Sequence, residues 1–439
     1  MNDLILPSVD DLDQLGKQMH QLMTRLYPIC RSITGDGFRQ SLRIIGELIP
    51  LELHEVPSGT PAFDWIIPNE WNIADAYVKN SDGEKVVDFK VSNLHVVNYS
   101  VPVMRKMSLE ELRPHLHSLP EYPDRIPYKT SYYKQDWGFC LADNTLRNLP
   151  EGEYEVLIDS TLQPGNLTYG ELVVKGQTEE EMLISCHSCH PSLCNDNLSG
   201  MVLTAYLARY LASCSDLRYS YRFLFVPVTI GSICWLSIHE EQVDKIKHGL
   251  VVAGVGDPGK STYKKSRRGS AEIDRVAMLV LKESEQEFEI QEFSPYGYDE
   301  RQYCSPGFNL PVGSLTRTPY GRYPEYHTSA DNLQFVRPEH LQDSFAKYSK
   351  IINILEHNRK FISKNPKCEP QLGKRGLYRS FGGRKENDDY ELTLLWVLNL
   401  SDGSHSLLDI AERSGQKFEL IRQVADILQK NDLLAESQE

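Results

Sequence analysis

The chain has 439 residues, 40% hydrophobic and 25% charged, which suits two or three soluble globular domains and excludes a fibrous or disordered protein. Its 61 acidic against 47 basic residues leave a formal net charge of −14, which disfavours wholesale attraction to nucleic acid or to an anionic membrane. No apolar run is long enough to cross a bilayer, and the opening "MNDLILPSVDDLDQL" lacks the basic start and apolar core of a signal peptide. With nine irregularly spaced cysteines, a cytoplasmic protein with free thiols is expected.

Apolar positions at helical spacing over residues 10–27 (Leu12, Leu15, Met19, Leu22, Met23, Leu26) and again over 38–49 predict two opening helices. From Phe63 to Leu162 aromatics, prolines, turn signals and short alternating runs such as "KVVDFKV" and "EYEVLI" predict a β-rich insertion. From 163 onward strand and helix alternate. "GELVVKG", "EMLISCH", "YRFLFVPV", "GLVVAGVG", "FEIQEF" and "LPVGSLTR" read as strands, with helices over 198–213, 231–246, 271–284 and 337–360. That alternation predicts an α/β domain with a mostly parallel central sheet, whose ligands sit beyond the carboxyl ends of the strands. After "EPQLGKRGLYRSFGG", helices near 389–399, 406–413 and 417–429 form a helix-turn-helix arrangement. Residues 405–439 hold four Lys or Arg against seven Asp or Glu, so a packing or protein-contact role is expected there rather than DNA reading. The expected boundaries are 1–62 with 163–365 for the α/β domain, 63–162 for the insertion and 366–439 for the last module.

Within "ISCHSCHPSLCNDNLSG", residues 184–200, a thiolate zinc clip would use Cys186, Cys189 and Cys194, but no second C-x-x-C exists to complete it. A redox pair would need its cysteines at a helix start, where Pro191 and Ser192 intervene. The third reading sets a strand-end histidine, His187 or His190, against Asp196 at the next helix start, with His327 in "RYPEYHTSADN" arriving from far along the chain. Such a trio would hold an open-sided zinc at the sheet rim, leaving the thiols as core packing.

These residues resemble the zinc aminopeptidases and carboxypeptidases that include bacterial leucyl aminopeptidases and glutamate carboxypeptidase. Members carry a strand-end His, a bridging Asp in a D-N-x-S-G run and a last His in a Y-H-T/S loop; here stand "NDNLSG" at 195–200 and "EYHTSADN" at 325–332. "YDERQYCSPGFNLPVGS" at 298–314 is similar to the segment lining their substrate cleft. Over nearly its full length the chain resembles bacterial aminopeptidase-like proteins associated with polysaccharide-biosynthesis loci, through "FDWIIPNEWNIADAYV" and "CHPS…NDNLSG". The resemblance implies a zinc-exopeptidase-like three-layer α/β/α fold with an inserted β-rich domain and a C-terminal winged helix. It also implies hydrolysis of an amide in a small amino-acyl or peptide-like substrate.

The departures bear on mechanism. Val228 in "PVTIGS" stands where the family's acidic general base is expected, and a valine accepts no proton. The next acidic ligand would fall at Ala253 or Gly254, with only Asp257 nearby. The expected metal site is therefore one zinc rather than two, held by His190 or His187, Asp196 and His327. Glu300 or Glu325 is the candidate replacement base, and Arg301, Arg317 and Tyr326 are candidate substrate contacts, with surface salt bridging the role expected of Arg322. The alternative is a non-catalytic binding or regulatory protein that keeps the peptidase fold. No membrane or nucleic-acid partner is expected; a second copy or another protein would dock through the last module.

Overall fold

Every residue of Glu181–His187 is buried, as a strand paired on both edges and covered on both faces must be. In the computed structural model, which describes residues 8–377 and 388–437, that strand lies inside an eight-stranded sheet. Residues 1–7, which open the N-terminal stretch read above, and 378–387, from the run ahead of the last module, lie outside the described residues. The strands are β1 (Glu52–Pro57), β2 (Asn166–Val174), β3 (Glu181–His187), β4 (Ser220–Val226), β5 (Ile246–Val252), β6 (Ser261–Lys264), β7 (Phe288–Gln291) and β8 (Val312–Thr316). Their order in space is β1-β2-β4-β3-β5-β8-β6-β7. The central β4, β3, β5 and β8 run parallel, while β2 is antiparallel to β1 and β4, and β6 to β8. β1 has no counterpart in the sequence reading. As an edge strand with one neighbour it leaves Glu52, Leu53 and Glu55 exposed, and no clean alternation marks it.

Helix α1 (Val9–Leu26) opens on a capping box between Ser8 and Asp11 and buries Met19, Leu22, Met23 and Leu26. Helix α2 (Asp36–Gly46) follows. Helix α3 (Gly200–Ala212) is buried from Gly200 through Ala208, which explains why its sequence is apolar on every face. The insertion forms an antiparallel sheet of Lys85–Asp88, Glu70–Lys79, Glu153–Gln163 and Val103–Ser108, in that spatial order. It has its own apolar core, including Val78, Phe139, Tyr154 and Val156.

By packing, the chain divides into one unit of Met1–Asp274 with Gln286–Lys347 and another of Arg275–Glu285 with Tyr348–Glu439. The second contains helices Asp388–Leu400, Leu407–Ser414 and Phe418–Lys430. Its three-stranded sheet places Lys360–Ser363 between Asp402–Ser406 and Leu434–Glu436. Gly415, at φ +72°, ends the middle helix in the left-handed conformation that glycine favours. Among the described residues no helix is long and apolar enough to cross a membrane.

One buried group gives the first unit a pH dependence. His248 on β5 is 4% exposed, meets the Tyr219 ring edge-on, and is pushed down to about 4 by burial. The unfolded chain protonates this histidine before the folded one does, so stability should fall as pH drops from about 6.5 toward 4, by roughly 1.4 kcal/mol per unit. Denaturant titrations at pH 7 and 5 should show the loss, and His248→Leu should reduce it. An unchanged slope in the variant would assign the acid sensitivity elsewhere.

Candidate metal centre

His187 is the last residue of β3 and pairs in register with Val226, the last of β4, so it stands at the carboxyl edge of the parallel strands. Asp196 lies in the turn Cys194–Ser199 that leads into α3. The flanking amides explain the Asn-Asp-Asn run. Asn195 Nδ2 donates to Asp257 at 3.1 Å, and its Oδ1 accepts from the Gly256 amide at 2.9 Å. Asn197 Nδ2 donates to the Val252 carbonyl at 3.0 Å and the His187 carbonyl at 3.1 Å, and its Oδ1 accepts from Gly200 and Gly254 at 3.1 and 3.2 Å. The turn is thereby tied to the ends of β3 and β5. Asp331 adds a second tie by accepting the backbone N–H groups of Asn195 at 2.6 Å and Asp196 at 2.9 Å.

Three imidazoles face the Asp196 carboxylate. His187 Nε2 is 2.8 Å from Oδ1, His327 Nε2 is 2.8 Å from Oδ2, and His190 Nε2 is 3.9 Å from Oδ2. Ligand atoms of His187, His190 and Asp196 lie within 4.8 Å of one another, the one such grouping of His, Cys, Asp and Glu among the described residues. Burial opposes ionisation of Asp196, but the facing imidazoles outweigh it and hold the carboxyl well below the usual range. Burial pushes His190 down to about 3, so its ring is neutral at pH 7 and could offer a nitrogen to a metal. The His187 side chain is fully buried whereas that of His327 is 33% exposed, so the cluster opens on the His327 side.

An aromatic collar surrounds the rings. Tyr298 stacks on His187 at 5.1 Å and Tyr326 on His327 at 4.0 Å, while Tyr128 meets both His190 and His327 at 5.1 Å. Tyr128 comes from the insertion, and no local sequence signal marks it. Its amide donates to the His327 carbonyl at 2.8 Å, and Ser329 N–H donates to the Ile126 carbonyl at 2.8 Å. These bonds help hold His327 at φ +53°, a left-handed conformation that a non-glycine residue keeps only under such constraint. On the other side Arg31, 1% exposed, donates from Nε to the His190 carbonyl at 2.8 Å and from Nη2 to the Pro191 carbonyl at 3.3 Å.

The other sequence candidates have different surroundings. Glu300 is 1% exposed, with Oε1 2.9 Å from Lys264 Nζ. Arg317 pairs with Asp343 at 2.5 Å and Arg322 with Glu289 at 2.8 Å. Arg301 lies 6.0 Å from the Tyr296 ring centroid, and its Nε has no hydrogen-bond partner. Asp257 is engaged by Asn195 and by Thr318. Cys186, Cys189 and Cys194 are buried and unpaired, and burial pushes the first two thiols up to about 12, so they are protonated at pH 7. Val228 follows β4 with its N–H 3.3 Å from Cys189 Sγ and offers no proton acceptor of its own. The sequence reading passed over Asp299. It is fully buried, accepts from Ser232 Oγ at 2.7 Å, leaves Oδ2 without a partner, and is raised to about 6 by burial.

The model of a family described as a domain of unknown function, DUF4910, matches residues 20–358. The chain belongs to the DUF4910 family. A winged helix-turn-helix model matches residues 359–436, the part that carries the three terminal helices. This DUF4910 chain is 52% identical over 426 residues to a Clostridium acetobutylicum protein named "Putative polysaccharide biosynthesis protein with aminopeptidase-like domain", covering 97% of this chain and 98% of that one. A crystal structure from the same organism, of a protein 51% identical, superimposes with a TM-score of 0.93 over 98% of both chains. A zinc aminopeptidase from Bacillus subtilis, 12% identical, covers 79% of this chain and 95% of its own with a TM-score of 0.58. The DUF4910 chain therefore has the three-layer α/β fold of the zinc aminopeptidases, with a winged helix after it.

Proposed function

We propose that this chain is a cytoplasmic, zinc-dependent aminopeptidase-like hydrolase that cleaves an amide bond in a small amino-acyl or peptide-like substrate. The observation that carries the reading is one ionised carboxylate, Asp196, set among three imidazoles at the carboxyl edge of a zinc-aminopeptidase fold. Imidazole nitrogen and carboxylate oxygen are zinc's ordinary ligands, so His187, His190, Asp196 and His327 fit the ion. With a single carboxylate in the group, one ion is proposed rather than two. Zinc bound there supplies Lewis acidity toward a carbonyl oxygen and lowers the pKa of its water.

The chain's own residues do the rest. Asp331 and Arg31 fix the backbone of Asp196 and His190, so the donors are positioned before substrate arrives. Tyr298, Tyr326 and Tyr128 wall the cluster. Substrate enters on the open His327 side, beside Tyr326. Arg317 is committed to Asp343, whereas Arg301 makes no ion pair among the described residues and lies against the Tyr296 ring, so Arg301 is the cation proposed to meet a substrate carboxylate. The name of the Clostridium relative supports a substrate drawn from carbohydrate assembly. The winged helix is proposed to dock a second copy or another protein.

A second reading, a non-catalytic protein that retains the fold, is favoured by Val228 at the expected base position. An amino-acyl amide library separates the two. Hydrolysis that stops on chelation and returns with added zinc is expected; hydrolysis untouched by exhaustive metal removal would contradict the zinc-dependent reading.

A further inference from the structure

We propose that Trp65 and Tyr133 form a stacking platform for the ring of an amino sugar, so that the amide cleaved at the metal centre joins an amino acid to that sugar's nitrogen. The inference rests on the hydrolase reading above and adds the leaving group. Hydrolysis then places the oxygen of water on the carbonyl carbon, breaks the C–N bond, and delivers a proton to the departing nitrogen. The products are an amino-acid carboxylate and a free amino sugar.

The platform is linked to the metal cluster through Tyr128 and Tyr132. Tyr128, whose ring lies 5.1 Å from both His190 and His327, has its hydroxyl 3.0 Å from that of Tyr132, and Tyr133 is the next residue. The Tyr133 ring meets Trp65 at 5.3 Å, and Trp65 sits on the hairpin Pro61–Ala62/Trp65–Ile66. Phe63, in the two-residue turn of that hairpin, meets Phe308 at 5.7 Å. Trp65 is 44% exposed, Phe63 51% and Tyr133 52%, so large parts of the ring faces are left open.

The backbone under these rings is strained. Phe63 has φ +53° and Tyr133 φ +63°, a region where a bulky side chain costs about 1–2 kcal/mol and where glycine or asparagine would be easier. Phe63 packs on Phe308 and Tyr133 on Trp65, yet about half of each ring stays open despite the backbone cost, which points to a task for the open faces. Asp64, Lys134 and Gln135, all exposed, adjoin Trp65 and Tyr133 in sequence. Half-open aromatic faces with exposed polar residues next to them in the chain suit a pyranose, which presents C–H faces and hydroxyl edges, better than they suit an apolar side chain.

The probes are 2-(alanylamino)-2-deoxyglucose and methyl 2-acetamido-2-deoxyglucopyranoside, with alanine amide as the sugar-free control and phenylalanine amide as the apolar one. Calorimetry and saturation-transfer NMR on the zinc-loaded full chain should show both sugar probes binding. Trp65→Ala and Tyr133→Ala should each weaken them about tenfold, with alanine amide unaffected. Sugar probes that bind no better than alanine amide, or equally well to wild type and both variants, would overturn the proposal. So would preferential binding of phenylalanine amide that is lost in the variants, which would mark an apolar side-chain pocket instead. Binding requires no turnover, so absence of hydrolysis with every probe would refute the hydrolase reading while the sugar platform is still judged on affinity.

Discussion

Asp196→Ala is expected to strip the metal from the protein and to lower amide hydrolysis by a factor on the order of 10³ or more. Asp196 is the only carboxylate in the cluster among the described residues, it is 1% exposed, and each of its oxygens faces an imidazole at 2.8 Å. Removing one partner from a buried charged group typically costs about 3–5 kcal/mol, equivalent to roughly 10²–10⁴ in an equilibrium constant. The turn itself should survive. Asp331 still accepts the two backbone N–H groups, and Asn195 and Asn197 still tie the segment to the ends of β3 and β5. Metal content after dialysis, read beside a thermal melt, separates loss of the ion from loss of the fold. An alanine variant that keeps both metal and rate would remove Asp196 from the site.

Val228→Glu is expected to raise hydrolysis by about 10²–10⁴, the usual contribution of a positioned general base. Val228 follows β4, and its N–H reaches Sγ of Cys189, the neighbour of His190, so the new carboxylate would be introduced next to the loop that carries His190. It is partly exposed, so a glutamate there is not forced into a dry core. An inert wild type with an active variant would mean that the scaffold is competent and lacked only its base, as the non-catalytic reading requires. An active wild type that the glutamate does not accelerate would mean that another group accepts the proton. Asp299, held up to about 6 by burial and with Oδ2 unpartnered, is the group to replace next.

Much of this site was legible because its elements announce themselves locally. A continuous apolar run ending in His187, an Asn-Asp-Asn turn before an apolar helix, and His327 after a strand each follow from period and position. The three thiols, which the sequence reads as packing, are fully buried at Cys186, Cys189 and Cys194. The choice between His187 and His190 was not legible, because three residues of irregular chain after a strand can turn either ring inward, and both face Asp196. Tyr128 and Arg31 were invisible for a different reason. They reach the site from an insertion and from the loop after α1, 199 and 159 positions from the groups they hold, and only the tertiary fold makes those contacts. Glu300 illustrates the converse, a loop carboxylate by sequence that pairs with a lysine on β6.

Metal analysis of the purified full chain tests the central claim most directly. The account predicts about one zinc per chain, retained through dialysis and lost in His327→Ala. Two ions per chain, or none retained after zinc loading, would contradict it.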